Sequence, residues 1–127
     1  MLQQKNRFHG HGSLRYVYKN GDIIRSRVIS TKYTKNKFRS ESRFSVVISK
    51  KVMKSAVGRN RIRRRIYEII RIRLSEIAQA HDVVVLVFSS EAMTMPYEDL
   101  SELVYSQFIE AEILPGKESE QDDNTKS

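Results

Sequence analysis

The stretch Ala56-Val57-Gly58-Arg59-Asn60-Arg61-Ile62-Arg63-Arg64-Arg65-Ile66-Tyr67-Glu68 sets five arginines within seven positions and still carries an apolar repeat. Projected at 100° per residue, Ile62, Ile66, Ile69, Ile70 and Ile77 share an arc of about 100°, with Leu74 at its edge, the width one buried helical face needs. An amphipathic helix over residues 57–78 follows. The opposite arc holds Asn60, Arg61, Arg64, Tyr67, Glu68 and Arg71, flanked by Arg63 and Arg65. Like charges three or four residues apart each cost roughly a few tenths of a kcal/mol, and a helix N-terminus disfavours cations. A polyanionic partner would offset that cost. The alternative is a solvated charged face, but such faces usually mix signs. Arg73 projects from the middle of the apolar arc, so it either snorkels or pairs with a carboxylate such as Glu76.

At 127 residues the chain is read as one domain with a single modest core. Cysteine is absent, which removes disulfides and thiolate metal sites and suits a reducing compartment. The N-terminus opens no apolar signal-like run, and the longest apolar run, residues 83–88, is too short to span a bilayer. A soluble, cytoplasmic protein without a membrane partner is expected. The net charge of +8 conceals an asymmetry: residues 1–73 hold 21 bases and three acids, net +18, while residues 74–127 hold two bases and 12 acids, net −10. One strongly basic surface is the electrostatic mark of a nucleic-acid binder. A membrane-surface helix fits poorly, because the apolar arc lacks Trp and Phe and has core partners in the strands.

Residues 1–12, with His9-Gly10-His11-Gly12, read as a flexible basic arm; the two histidines lack the acidic or cysteine neighbours of a metal site. Residues 13–114 form the folded domain, and residues 115–127 a disordered acidic tail without apolar residues. Within the domain, Ser13 caps a short helix over 14–19 that ends at Asn20-Gly21, with Leu14, Val17 and Tyr18 inward. Residues 23–33 form a strand with one face open to solvent or ligand, and residues 44–49 a more buried strand paired with it as a hairpin. His81-Asp82 turns into a fully apolar strand over 83–88. Strand, long helix and strand make a βαβ unit with 44–49 and 83–88 parallel. Pro96 opens a last helix striped by Leu100, Leu103, Val104, Phe108 and Ala111.

The sequence carries no catalytic constellation of its own. Phosphodiester cleavage by protein groups needs clustered carboxylates holding metal, or a histidine acid–base pair. Asp22, Glu41 and Glu68 fall on three elements, and there is no Gly-rich phosphate loop. The pattern describes a binding surface, with an intrinsic nuclease as the alternative that convergent carboxylates would require.

Arg43-Phe44-Ser45-Val46-Val47-Ile48-Ser49-Lys50-Lys51, followed by Ala56-Val57-x-Arg59-Asn60-Arg61-Ile62-Arg63-Arg64-x-Ile66-x-Glu68, resembles the protein component of bacterial ribonuclease P. The resemblance runs from Arg7 to Ala111. It implies an α/β (α+β) two-layer sandwich of order α-β-β-α-β-α with a left-handed βαβ crossover, against the general rule. It also implies a protein cofactor for a catalytic RNA that carries the Mg2+ ions and removes the 5′ leader of precursor tRNA. Binding to that RNA would be one to one. The family's arginine motif falls on Arg59, Asn60, Arg61, Arg63 and Arg64, facing the catalytic RNA, with Lys50 and Lys51 nearby. The family's leader cleft carries over to Leu14, Tyr18, Val28, Ser30 and Lys32. Leu14 stands where phenylalanine is usual, leaving Tyr16 or Tyr18 to supply an aromatic, and Tyr67 where arginine is common. A ribosomal or ribosome-associated RNA-binding protein is the alternative, since such proteins share small size and basic charge.

Overall fold

The computed structural model describes residues 3–8 and 12–116. A 3-10 turn, Gln4–Asn6, precedes α1 (Gly12–Asn20), β1 (Asp22–Arg25), β2 (Ile29–Lys35) and β3 (Arg43–Ile48). There follow α2 (Ala56–Ile72), a 3-10 turn (Leu74–Glu76), β4 (His81–Val87), α3 (Glu91–Thr94) and α4 (Tyr97–Glu110). The expected order is present, with β1 and α3 added to it.

The four strands form one sheet in the order β1-β2-β4-β3. As expected, β3 and β4 are parallel neighbours, with Phe44 opposite Val83 and Ile48 opposite Val87. The expected hairpin of residues 23–33 with 44–49 does not form. Residues 22–35 instead fold on themselves, β1 antiparallel to β2, and β2 pairs antiparallel with β4, which therefore has a neighbour on each side. An interior strand must be apolar on both faces, and Val83, Val84 and Val85 are all fully buried.

Strand alternation separates two faces. Ile29, Phe44, Val46, Ile48, Val83, Val85 and Val87 share the main core with Ile62, Ile66, Ile69 and Ile70 of α2 and Leu100, Val104 and Phe108 of α4. Phe44 and Phe108 stack with ring centroids 6.2 Å apart. On this face Thr31 donates to Gln107 Oε1 (2.7 Å), and Gln107 Nε2 donates to Ile29 O and Ser26 Oγ, so the β1–β2 turn is tied to α4. The opposite face carries α1, where Lys32 Nζ reaches Tyr18 O. At the end of α1, Gly21 N bonds Val17 O, and a Cβ there would sit 2.7 Å from that oxygen and 2.9 Å from Tyr33 O. Only glycine fits so close an approach.

Several expectations need correction. The long helix ends at Ile72, not near 78; Arg73 caps it and forms the expected pair with Glu76 while lying 4.9 Å over the Tyr105 ring. Tyr67, placed by the wheel on the solvent arc, is only 6% exposed. α1 begins at Gly12, so Ser13 lies inside the helix and not before it. His81 and Asp82 are buried members of β4 and not a turn. Residues 3–8, expected in a flexible arm, are docked: Asn6 donates to Ser42 O (2.9 Å), and Arg7 bridges in parallel to Phe44 on the outer edge of β3. His9 and His11, and the tail from residue 117, lie outside the described residues.

Candidate nucleic-acid interface

Helix α2 starts where Ser55 Oγ accepts from Gly58 N (3.0 Å), satisfying one of the free donors of the first turn. Gly58 lets the Met53 side chain pack close against the helix start, where a Cβ would stand 2.6 Å from Met53 Sδ. The loop carrying Lys50, Lys51 and Lys54 is thereby drawn onto the helix start. Arg59 fastens it, donating through Nη1 to both Met53 O and Lys54 O (2.9 Å each).

The remaining arginines divide by role in a way their spacing does not show. Arg63 donates to Val46 O on the outer edge of β3 (3.2 Å) and to Asn60 Oδ1 (2.9 Å), which pins it across the sheet edge. Arg65 turns to the other side and donates to Ala92 O (2.8 Å) and Met95 O (2.6 Å), clamping the α3 segment. Arg71 pairs with Glu68, and that hydrogen bond holds the Glu68 carboxyl down at about 2, against the opposing effect of desolvation. Arg61 and Arg64 are exposed, and neither makes a hydrogen bond or ion pair within the described residues. Of the residues expected to face RNA, then, Arg61, Arg64, Lys50 and Lys51 are presented to solvent, whereas Arg59, Asn60 and Arg63 brace the surface that presents them.

The second surface is the α1 face of the sheet. Register places Ser30, Lys32 and Thr34 of β2 beside Leu86, Val84 and Asp82 of β4, and these beside Val47, Ser45 and Arg43 of β3. Lys32 Nζ lies 5.5 Å over the Tyr18 ring, and partial burial raises the Tyr18 hydroxyl above its ordinary value. Tyr18 and Lys32 come together at the groove edge, with Leu14 half-buried on the same helix. Ser30 is on this face but covered. Val28 is not available to a ligand: it belongs to the main core, and its carbonyl accepts from Phe88 N (2.8 Å).

One end of this face is fixed by a group the sequence reading missed. Arg43 donates in bidentate fashion to Asp82, Nε to Oδ1 (3.0 Å) and Nη2 to Oδ2 (2.7 Å), with side chains 12% and 6% exposed. Asn36 Nδ2 also donates to Asp82 Oδ2 (2.9 Å). The signal was present as an Asp at the start of an apolar run, which reads equally well as a turn. Next to it His81 donates from Nδ1 to Gln79 O, and burial lowers its imidazole below the ordinary value, favouring the neutral ring.

Among the described residues no group of three His, Cys, Asp or Glu could hold a metal ion, and no helix is long and apolar enough to cross a membrane. The three acids of the basic portion stay apart: Glu68 pairs with Arg71, Glu41 lies 3.5 Å from Lys5, and Asp22 opens β1.

The family model described as Ribonuclease P matches residues 2–111. The chain is 32% identical over 116 residues to the ribonuclease P protein component of Pseudanabaena sp. (strain PCC 6903), covering 91% of this chain and 99% of that one. The solved RNase P protein of Staphylococcus aureus superposes with a TM-score of 0.76 at 25% identity, over 86% of this chain and 97% of the other. The fold is also that of the RNase P protein from Thermotoga maritima, with a TM-score of 0.69 at 22% identity, over 79% and 92% of the two chains.

Proposed function

Because the chain belongs to the ribonuclease P protein family, whose members are subunits of an RNA-based endoribonuclease of tRNA processing, we propose how its two surfaces divide the work. Arg61, Arg64, Lys50 and Lys51 contact the catalytic RNA, held in place by Arg59, Asn60 and Arg63. The groove beside α1, edged by Tyr18, Lys32 and Leu14, takes the 5′ leader of precursor tRNA. One protein binds one RNA. The Mg2+ ions that activate the attacking water belong to the RNA, and this chain contributes charge and position.

The observation that carries this reading is the sorting of the arginines. Five of those on and just after α2 have internal partners, which leaves Arg61 and Arg64 on the helix, with Lys50 and Lys51 in the loop before it, as an exposed cationic patch. A patch of that kind neutralises phosphates, and an open strand face with an aromatic and a lysine suits a single strand read by stacking and backbone charge. The test is precursor tRNA processing at low Mg2+ by a bacterial-type catalytic RNA, with and without the protein, and by the protein alone. Cleavage that needs the RNA and improves with the protein is expected. Cleavage by the protein alone would make it a nuclease, and absence of any effect would favour a ribosomal role.

A further inference from the structure

Beyond Lys32, the α1 face of the sheet ends in a cleft of about 470 Å³ walled by Tyr16 of α1, Thr34 and Lys35 of β2, Phe38 of the β2–β3 loop, and the Arg43–Asp82 pair. Phe38 is 97% exposed and Tyr16 57%. A phenylalanine ring left in water forgoes the whole gain of burial, so the fold itself has no use for this one. Yet the loop that holds it is braced. Asn36 donates to Asp82 Oδ2 (2.9 Å), accepts from Phe38 N at Oδ1 (3.0 Å), and bonds Ala80 O through its backbone N (3.0 Å). Asp82 is itself gripped by Arg43, so its charge is compensated, and exposed Lys35 and Lys37 leave the surroundings cationic.

Two aromatic faces with ammonium groups beside them suit an unpaired nucleobase and its neighbouring phosphates. An aliphatic or peptide ligand would make no use of the lysines, and a duplex keeps its base faces stacked away from protein. The geometry points to this cleft as a stacking site for one unpaired base of a single RNA strand, with Tyr16 and Phe38 as its aromatic walls. The assignment rests on the reading that the leader lies beside α1. Thr34 follows Lys32 on the same face by two residues, about 7 Å along the strand, so the cleft continues that groove. It lies at the opposite end of β3 from Lys50 and Lys51, a strand length of roughly 20 Å for six residues. The stacked base is therefore several nucleotides away from the part of the strand nearest the arginine helix.

The test uses the assembled holoenzyme and precursor tRNAs in which each leader position in turn is made abasic, or carries the fluorescent base 2-aminopurine. With wild-type protein, one upstream position should stand out, its abasic form binding about five- to a hundred-fold more weakly. Phe38→Leu should impose the same loss on the intact leader and add nothing to the abasic one. It should also relieve 2-aminopurine quenching at that position, while Phe38→Trp retains it and mature tRNA binds all variants alike. Unchanged thermal unfolding of Phe38→Leu is expected, since the ring packs against nothing. If Phe38→Leu and Tyr16→Leu bind intact leaders as wild type does, while leader truncation still weakens wild-type binding, the clamp is wrong and the groove reading stands. If truncating the leader has no effect on wild-type binding, both fall together.

Discussion

The division of labour among the arginines can be tested by two substitutions that look equivalent in sequence. Arg64 and Arg65 are adjacent and chemically identical, but Arg64 points into solvent whereas Arg65 donates to Ala92 O and Met95 O. Removing Arg65 strands two carbonyls that a cation had satisfied. A charged hydrogen bond is worth about 1.5–3 kcal/mol, and because Arg65 is half-exposed, water re-solvates part of what is lost. We expect Arg65→Ala to cost about 2 kcal/mol, which for a domain of this size lowers Tm by roughly 8 °C. Arg64→Ala should leave Tm within about 2 °C, as surface changes do, and act on RNA instead. Each lost phosphate contact reduces the slope of log K against log salt by about 0.7–0.9. Thermal unfolding and catalytic-RNA binding across a salt series would be measured on both variants. Equal Tm values together with equal losses of salt slope would refute the reasoning, since the hydrogen bonds of Arg65 would then have no structural consequence.

Two further outcomes follow from single sites. Glu112 closes α4 with φ 63°, its N bonding Ile109 O while Ile113 N bonds Phe108 O, a helix end that normally employs glycine. Glu112→Gly should therefore raise stability by about 1 kcal/mol, read as a higher midpoint in urea; an unchanged or lower midpoint would mean the left-handed residue carries no penalty. Asp82→Ala leaves the largely covered Arg43 without its carboxylate and releases Asn36, so stability should fall by about 2–4 kcal/mol, also by denaturant titration, and a loss under 1 kcal/mol would show that the pair is dispensable.

Much of the architecture was legible because it is written in apolar periodicity. The stripe of Ile62, Ile66, Ile69 and Ile70 and the unbroken run from Val83 to Val87 specify a helix and an interior strand on their own. The β1–β2 turn was missed because Ser26-Arg27-Val28 contains neither glycine nor proline; it is held by Ser26 Oγ and Gln107, a residue 81 positions away. Tyr67 was misplaced because on the wheel it lies beyond Leu74, about 60° outside the isoleucine arc, where packing by another element decides burial. At the interface, the kind of residue was visible and its role was not. Arg59, Arg63 and Arg65 bond backbone carbonyls, and a carbonyl leaves no trace in sequence spacing.

Strand β3 is an outer strand of the sheet, and an outer strand ordinarily offers a row of unpaired amides and carbonyls to any other extended chain. Here Arg7 occupies one end of that row and Arg63 caps Val46 O further along. Two arginines of the basic portion thus act as gatekeepers of this edge. A newly made chain, strongly cationic and still unbound, presents a blunted edge to its own copies, and charge repulsion reinforces that blunting. Protection of the sheet edge and display of cationic charge are, on this strand, one design.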